Sequence, residues 1–155
     1  MVNADADLEQ DSAALFAMLF SVVLEGEKRL AEHLTTHGLT APQFYVLKTL
    51  VEQGGRMGIG EIARRHGLTN PTMTGLVQRM EALDPPLVRR ETDMLDRRAV
   101  VVMLTEEGSE RFLAVQTSLL GQLRDALALL PTDERRRLLE ELQHYMTLLL
   151  AAVST

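Results

Sequence analysis

Two adjacent arginines in a polar turn are the residues of this sequence best suited to binding an anion. Arg97 and Arg98 lie in the stretch "ETDMLDRRAVVVMLTEEG" at residues 91–108, directly before an apolar run. A guanidinium group is always charged and carries five N–H donors, so it binds phosphates and base edges well. At a turn these side chains have no core to enter. They therefore either contact a partner outside the chain, or are solvated and neutralised by carboxylates such as Asp96.

A second set of polar residues falls on one face of a predicted helix. The segment "TNPTMTGLVQRMEAL" repeats apolar residues at the spacing of a single helix face, namely Met73, Leu76, Val77, Met80 and Leu83. The opposite face is short and polar and carries Thr72, Thr74, Gly75, Gln78 and Arg79, which suit contact with bases or phosphates. Pro71 disfavours a helical residue before it, so Asn70 is the predicted N-cap. The alternative is an ordinary solvated surface.

Helices and a hairpin flank these two groups of residues and must position them. Before the polar helix, the sequence predicts a helix from Ser12 to His37 closed by Gly38, a helix opened by a capping box of Thr40 and Gln43, and a short helix from Glu61 to His66 ended by Gly67. After it, the sequence predicts a hairpin of strands at 87–92 and 99–104, a helix capped by Thr105 that extends to about Leu130, and a helix from Thr132 to about Ala152. The arginine pair thus lies at the tip of the hairpin.

The long helices carry more apolar residues than a small domain can use. The first half of the first helix is apolar nearly all round, which in a small chain suggests a partner subunit. The two last helices have apolar stripes predicted to face inward, Phe112, Val115, Leu119, Leu120, Leu123 and Leu127 on one and Leu138, Leu139, Leu142, Tyr145, Met146, Leu149 and Leu150 on the other.

Charge is segregated along the chain. The formal net charge is -6, yet residues 56–98 hold eight arginines against six acidic residues, while the rest holds eight basic and sixteen acidic residues. The middle is therefore basic relative to its flanks. Because local field rather than total charge governs docking to phosphate, overall acidity does not exclude nucleic acid as a partner.

Several classes of function are excluded or disfavoured by the sequence. Without cysteine, the chain has no disulfides, thiolate metal sites or cysteine nucleophiles. The longest apolar stretch, residues 13–24, is about half of the ~20 residues that cross a bilayer, so we expect a cytoplasmic protein without membrane contact. His33 and His37 have metal-ligand spacing but no evident third ligand. There is no glycine-rich phosphate loop, HExxH or GxSxG, so we expect no catalytic residues, cofactor or enzymatic activity.

The order of elements in the middle of the chain predicts a DNA-binding unit. A short helix, a tight turn with Gly67, a capped helix and a basic-tipped hairpin follow one another. A helix-turn-helix places its second helix in the major groove. A neighbouring hairpin can lay an arginine in the minor groove, whose negative potential attracts it.

At these residues the chain resembles the multiple-antibiotic-resistance regulator (MarR) family. The segment "LTAPQFYVLKTL" is similar to its second helix, "IGEIARRHGLTNPTMTGLVQRMEAL" to its helix-turn-helix, and "DRRAVVVMLTEEG" to its wing and the start of its fifth helix. The resemblance implies a mainly α fold with a small β-hairpin wing. It also implies one domain over 1–155, with a winged helix-turn-helix lobe at 40–105 and a helical dimerisation lobe at 8–38 and 105–153.

The resemblance further implies partners and site residues. It implies a homodimer joined through the first, fifth and sixth helices that binds a pseudo-palindromic double-stranded operator. Arg98 would enter the minor groove and Asp96 would orient it. The recognition-helix contacts would be Asn70, Thr72, Thr74, Gln78 and Arg79. Phosphate or solvent contacts would be Arg97, Arg64, Arg65, Arg89 and Arg90. Tyr45 would line a pocket for an effector, although a core or rim position is its alternative.

These observations lead to two functional expectations. The first is a sequence-specific DNA-binding transcriptional regulator, a repressor that a small phenolic or anionic ligand releases from its promoter. The second is a winged-helix dimerisation module that binds protein partners and does not itself bind DNA.

Overall fold

The computed structural model describes residues 2–92 and 99–153 of the chain. The helices are α1 Val2–Thr36, α2 Ala41–Glu52, α3 Ile59–Arg65, α4 Asn70–Glu81, α5 Glu106–Ala128 and α6 Thr132–Val153, and the strands are β1 Arg56–Gly58, β2 Val88–Thr92 and β3 Val100–Leu104. The mainly α fold with a β-hairpin is therefore confirmed. One compact unit ends at Val115 and a second begins at Gln116. The proposed lobe boundaries at 38–40 and 105 stay predictions.

The hairpin belongs to a three-stranded antiparallel sheet of order β1-β3-β2. Both predicted strands are present, and they pair in register from Val88 opposite Leu104 to Thr92 opposite Val100. Strand β1 was not predicted, because three residues are too few to show an alternating pattern. Gly54 and Gly55 turn the chain into β1 with φ of 74° and 86°, values that favour glycine.

The helix ends that position the helix-turn-helix are closed by local hydrogen bonds. The predicted capping box opens α2, since the Thr40 N–H donates to Gln43 Oε1 at 2.9 Å. At the end of α3, Gly67 has φ 62°, and the Leu68 N–H donates to the Ala63 carbonyl at 2.9 Å. This bond and the one from Gly67 N–H to the Arg64 carbonyl at 3.2 Å form a Schellman motif, which closes α3.

Some predicted helix boundaries were wrong. Helix α1 begins at Val2, and Ser12 lies inside it with its hydroxyl donating to the Leu8 carbonyl at 2.7 Å. The N-cap of α4 is Thr69, not Asn70, because Thr69 is the last residue with extended backbone angles, φ -73° and ψ 154°. Pro71 is tolerated in the first turn because its missing N–H would have no helical partner there.

The described core lies around the helix-turn-helix and the sheet. Its fully buried members include Val46, Leu47, Leu50, Ile62, Met73, Val77, Met80, Leu87, Val88, Val102 and Val115. The predicted inward residues Ile62 and Ala63 of α3 are both buried, while Leu83 lies beyond the end of α4 and is exposed. Phe112, near the start of α5, stacks on Phe44 of α2 with ring centroids 5.4 Å apart.

The predicted inward stripes of the last two helices are largely exposed in the single chain. The exposed members are Leu120 and Leu123 of α5 and Leu138, Leu139, Leu142, Tyr145, Met146 and Leu150 of α6. Periodicity shows that a face is apolar but not that the same chain covers it. Among the described residues, no helix is both long and apolar enough to cross a bilayer.

Candidate nucleic-acid interface

Helices α3 and α4 form a helix-turn-helix whose apolar faces are buried. Met73, Leu76, Val77 and Met80 take the inner face of α4. This burial turns the polar face of α4 outward, with Asn70, Thr72, Gln78 and Arg79 exposed and Thr74 half-buried. The structure therefore brings the five predicted recognition residues onto one helix, clear of the core.

Local contacts order part of this outer face. Thr72 belongs to the helix cap, because its N–H donates to Thr69 Oγ1 at 3.4 Å and the two hydroxyl oxygens are 2.8 Å apart. A Cβ added to Gly75 would lie 3.6 Å from Arg79 Nη1, so the guanidinium of Arg79 extends back over Gly75. Because Gly75 has no side chain, this part of the outer face has little bulk.

The two predicted phosphate-contact arginines of α3 share one carboxylate. Glu61 forms ion pairs with Arg64 and with Arg65, whose Nε lies 3.3 Å from Glu61 Oε1. Hydrogen bonds from Arg64 and then Arg65 hold the pKa of Glu61 below its usual value. All three side chains are exposed to solvent, at 76% for Arg64 and 44% for Arg65. Such pairs exchange easily with another anion, because surface ion pairs contribute little free energy.

Arg89 and Arg90 are neighbours in sequence but differ in their surroundings. Arg90 is tied to the end of α4, since its N–H donates to Glu81 Oε1 at 2.9 Å and its Nε donates to Oε2 at 2.7 Å. The hydrogen bond from the Arg90 main chain is the main cause of the lowered pKa of Glu81. Arg89 lines an open groove of about 530 Å³ with Glu106, Glu107 and other residues. Successive strand residues point to opposite faces, so the two side chains leave β2 on opposite sides, and their contacts with phosphate stay predictions.

The wing tip with Asp96, Arg97 and Arg98 lies outside the described residues. The strands on either side of it are described and are paired as far as Thr92 opposite Val100. The contacts of Asp96, Arg97 and Arg98 with DNA stay predictions.

One histidine links the helix-turn-helix to α2. His66, the C-cap of α3, has its Nε2 2.9 Å from Thr49 Oγ1, and its partial burial lowers the pKa of the imidazole. Sequence reasoning missed this contact, and it missed Glu61 and Glu81. The spacing of Glu61 from Arg64 and Arg65 could have revealed the first carboxylate. No local spacing joins Glu81 of a helix to Arg90 of a strand.

The other residues singled out in the sequence, Tyr45, His33 and His37, precede the helix-turn-helix in the chain. Tyr45 is 42% exposed on α2, with its ring centroid 6.0 Å from that of Phe44. The rings of His33 and His37 are 5.0 Å apart. Across residues 2–92 and 99–153, no group of three or more potential ligand residues could hold a metal ion.

A helix, a tight turn, a capped outward-facing helix and an antiparallel hairpin together define a winged helix-turn-helix protein. Residues 39–100 match the model of the MarR family. The solved MarR family protein from Bacillus stearothermophilus is 30% identical and superposes with a TM-score of 0.73, over 90% of this chain and 97% of that one. Reduced AbfR bound to DNA is 25% identical, with a TM-score of 0.57 over 95% of this chain and 99% of that one.

Curated relatives agree with this assignment. YsmB of Bacillus subtilis (strain 168), named as an uncharacterized HTH-type transcriptional regulator, is 33% identical over 91% of this chain and 92% of its own length. The transcriptional regulator TtmR of Methylorubrum extorquens (strain PA1) is 38% identical over 70% of this chain, which spans about half (53%) of TtmR. The homoprotocatechuate degradative operon repressor of Escherichia coli is 28% identical over 72% of this chain and 74% of its own length.

The chain belongs to the MarR family of winged helix-turn-helix regulators, as its sequence motifs indicated. It is accordingly a DNA-binding transcriptional regulator.

Proposed function

We propose that this regulator is a homodimeric repressor that reads a pseudo-palindromic operator with α4 and the wing and is released by a small ligand. The outward polar face of α4, capped at its start and joined to a formed hairpin, is the observation that carries the proposal. That face is what a recognition helix presents to base edges.

The residues divide by role. Thr74 and Gln78 are proposed to read bases, with Asn70, Thr72 and Arg79 at the edges of the contact. Arg98 enters the minor groove, Asp96 orients it, and Arg97 contacts phosphate. Arg64 and Arg65 exchange Glu61 for a phosphate on binding, which their exposure permits. Arg89 is proposed to contact a phosphate, whereas Arg90 is held by Glu81.

The apolar surfaces of the long helices support a second copy as the partner. Phe16 and Phe20 of α1 are 64% and 54% exposed, and Leu120 of α5 and Tyr145 of α6 are each 59% exposed. Apolar surface of this extent is typical of interfaces. A symmetric dimer with two α4 helices about 34 Å apart would match successive turns of one face of duplex DNA.

Release by a phenolic or other anionic ligand is supported by the similarity to a repressor named for homoprotocatechuate degradation. Tyr45, exposed on α2, offers a ring and a hydroxyl to such a ligand. A ligand that prefers one separation of the two recognition helices would shift the dimer away from the DNA-bound state.

Fluorescence anisotropy with DNA from upstream of its own gene tests the proposal. We expect affinity to fall steeply between about 50 and 200 mM salt, as counterion release requires. Gln78→Ala should cost about 1–3 kcal/mol and relax base preference, whereas Arg98→Ala should weaken all sequences and reduce the salt slope by about one. Lys48→Ala, which removes an exposed cation of α2 outside the proposed interface, is the matched control. Phenolic acids, added singly, should lower the affinity. Equal affinity for this DNA and for unrelated duplex at every salt concentration would contradict the proposed operator.

A further inference from the structure

The contact between Glu81 and Arg90 joins the recognition helix to the wing at two atoms of one carboxylate. Oε1 accepts from the Arg90 main-chain N–H at 2.9 Å, and Oε2 accepts from Arg90 Nε at 2.7 Å. Because one bond is to the main chain, the contact holds strand β2 itself and not only a side chain. Glu81 is the last residue of α4, and Arg90 is the middle residue of β2.

The position of the contact gives it control over the direction of the hairpin. Arg90 lies opposite Val102 of β3, so fixing Arg90 fixes both arms. Nearer to α4, the Leu87 N–H donates to the Met80 carbonyl at 3.1 Å. Val88 is buried and β2 is paired with β3 along its length, so the core and the sheet hold the strand at its base; the bonds at Arg90 add a direct connection from the middle of β2 to α4.

The contact is more shielded than the other ion pairs of the interface. The side chains of Arg90 and Glu81 are 34% and 29% exposed, against 76% for Arg64 and 40% for Glu61. Two hydrogen bonds to one carboxylate, one from the Arg90 main chain and one from its guanidinium, also define an orientation, which a single surface pair does not. The pair therefore suits positioning rather than exchange with phosphate.

We propose that Glu81 is a positioning residue that sets the angle between recognition helix and wing, acting through Arg90, so that both reach the duplex together. This inference rests on the proposed function. It predicts an effect opposite to simple electrostatics. Removing a carboxylate beside a DNA-binding surface should strengthen phosphate binding, whereas loss of Glu81 should weaken operator binding because the wing is no longer aligned.

Affinity of the 155-residue chain for its operator, measured by anisotropy, tests the inference in two backgrounds. In the wild-type background we expect Glu81→Ala to weaken binding about tenfold, a coupling of ordinary size for interacting residues. Glu91→Ala, which removes an exposed carboxylate of the same strand, is the matched control and should leave affinity equal or raised. Glu81→Gln keeps an acceptor for the Arg90 N–H, so it should fold normally and restore part of the affinity.

The Arg98→Ala background separates positioning from general damage. If Glu81 acts by aligning the wing, Glu81→Ala should change affinity less than about twofold once Arg98 is absent, because coupled residues are not additive. An equal loss in both backgrounds, or tighter binding by Glu81→Ala as well as Glu91→Ala, would overturn the inference. If Arg98→Ala alone leaves affinity unchanged, the proposed contact of Arg98 with DNA is wrong. The single variant thus distinguishes failure of the proposed function from failure of the inference about Glu81.

Discussion

Helix α2 and the long helix α1 use apolar residues in opposite ways. Val46, Leu47 and Leu50 of α2 are completely buried, whereas Phe16 and Val22 of α1 are 64% and 71% exposed. The difference teaches that α2 contributes to a core completed within one chain, while the apolar surface of α1 stays exposed, as the proposed homodimer would require.

Charged residues placed on the exposed apolar surface of α1 are the strongest test of this difference. Phe16 and Phe20 have ring centroids 5.0 Å apart on α1. We expect the double change Phe16→Glu and Phe20→Glu to leave the chain folded but monomeric. Operator affinity should fall on the order of 10²–10⁴-fold, because binding to two half-sites no longer occurs in one molecule. Sedimentation velocity and anisotropy measure both effects. Lys28→Glu on the same helix is the control, and a dimer that survives the double change would contradict the proposed interface.

Two glycines of α5 sharpen the comparison within a single helix. A Cβ on Gly108 would lie 2.1 Å from the Leu87 carbonyl oxygen, whereas a Cβ on Gly121 would meet nothing within 4 Å of it. Gly108→Ala should lower the free energy of unfolding by about 1–3 kcal/mol, through overpacking against backbone. Gly121→Ala should raise it by up to about 1 kcal/mol, because alanine favours helix. Urea denaturation measures both, and equal effects would show that the two ends of α5 are not packed differently.

The smallest expected effect concerns pH. Burial lowers the pKa of His66, so between its folded pKa and the ordinary value near 6.5 the unfolded chain binds more protons than the folded one. Stability should therefore be greater above pH 6.5 and fall as pH decreases through that value. The urea midpoint of His66→Gln, which can still bond to Thr49, should fall less between pH 7.5 and about 5.5. A steeper fall in the variant would mean that His66 is stabilised as the cation.

Features set by a few neighbouring residues could be predicted from the sequence, and features set by distant partners could not. Thr40 with Gln43 and the turn at Gly67 are local, and both were predicted. The cap of α4 was misplaced from Thr69 to Asn70, because the rule against a helical residue before proline is weak in a first turn. Strand β1 becomes visible only through its pairing with β3.

The candidate site divides in the same way. The outward face of α4 follows from periodicity, and the structure orients those residues as predicted. The bond from Arg90 to Glu81 joins residues nine positions apart in different elements, so no periodicity contains it. The roles of Asp96, Arg97 and Arg98 depend on DNA as well as on the hairpin, and they stay predictions.

The order of the sheet leaves β2 at its edge, where an unpaired main-chain N–H could recruit a strand from another molecule. At Arg90 that N–H is already donated to Glu81. The Glu81 carboxylate therefore occupies the main-chain donor that an added strand would use at Arg90. A strand from another molecule would have to displace this carboxylate to pair at Arg90, so this edge of the sheet is less prone to aggregation.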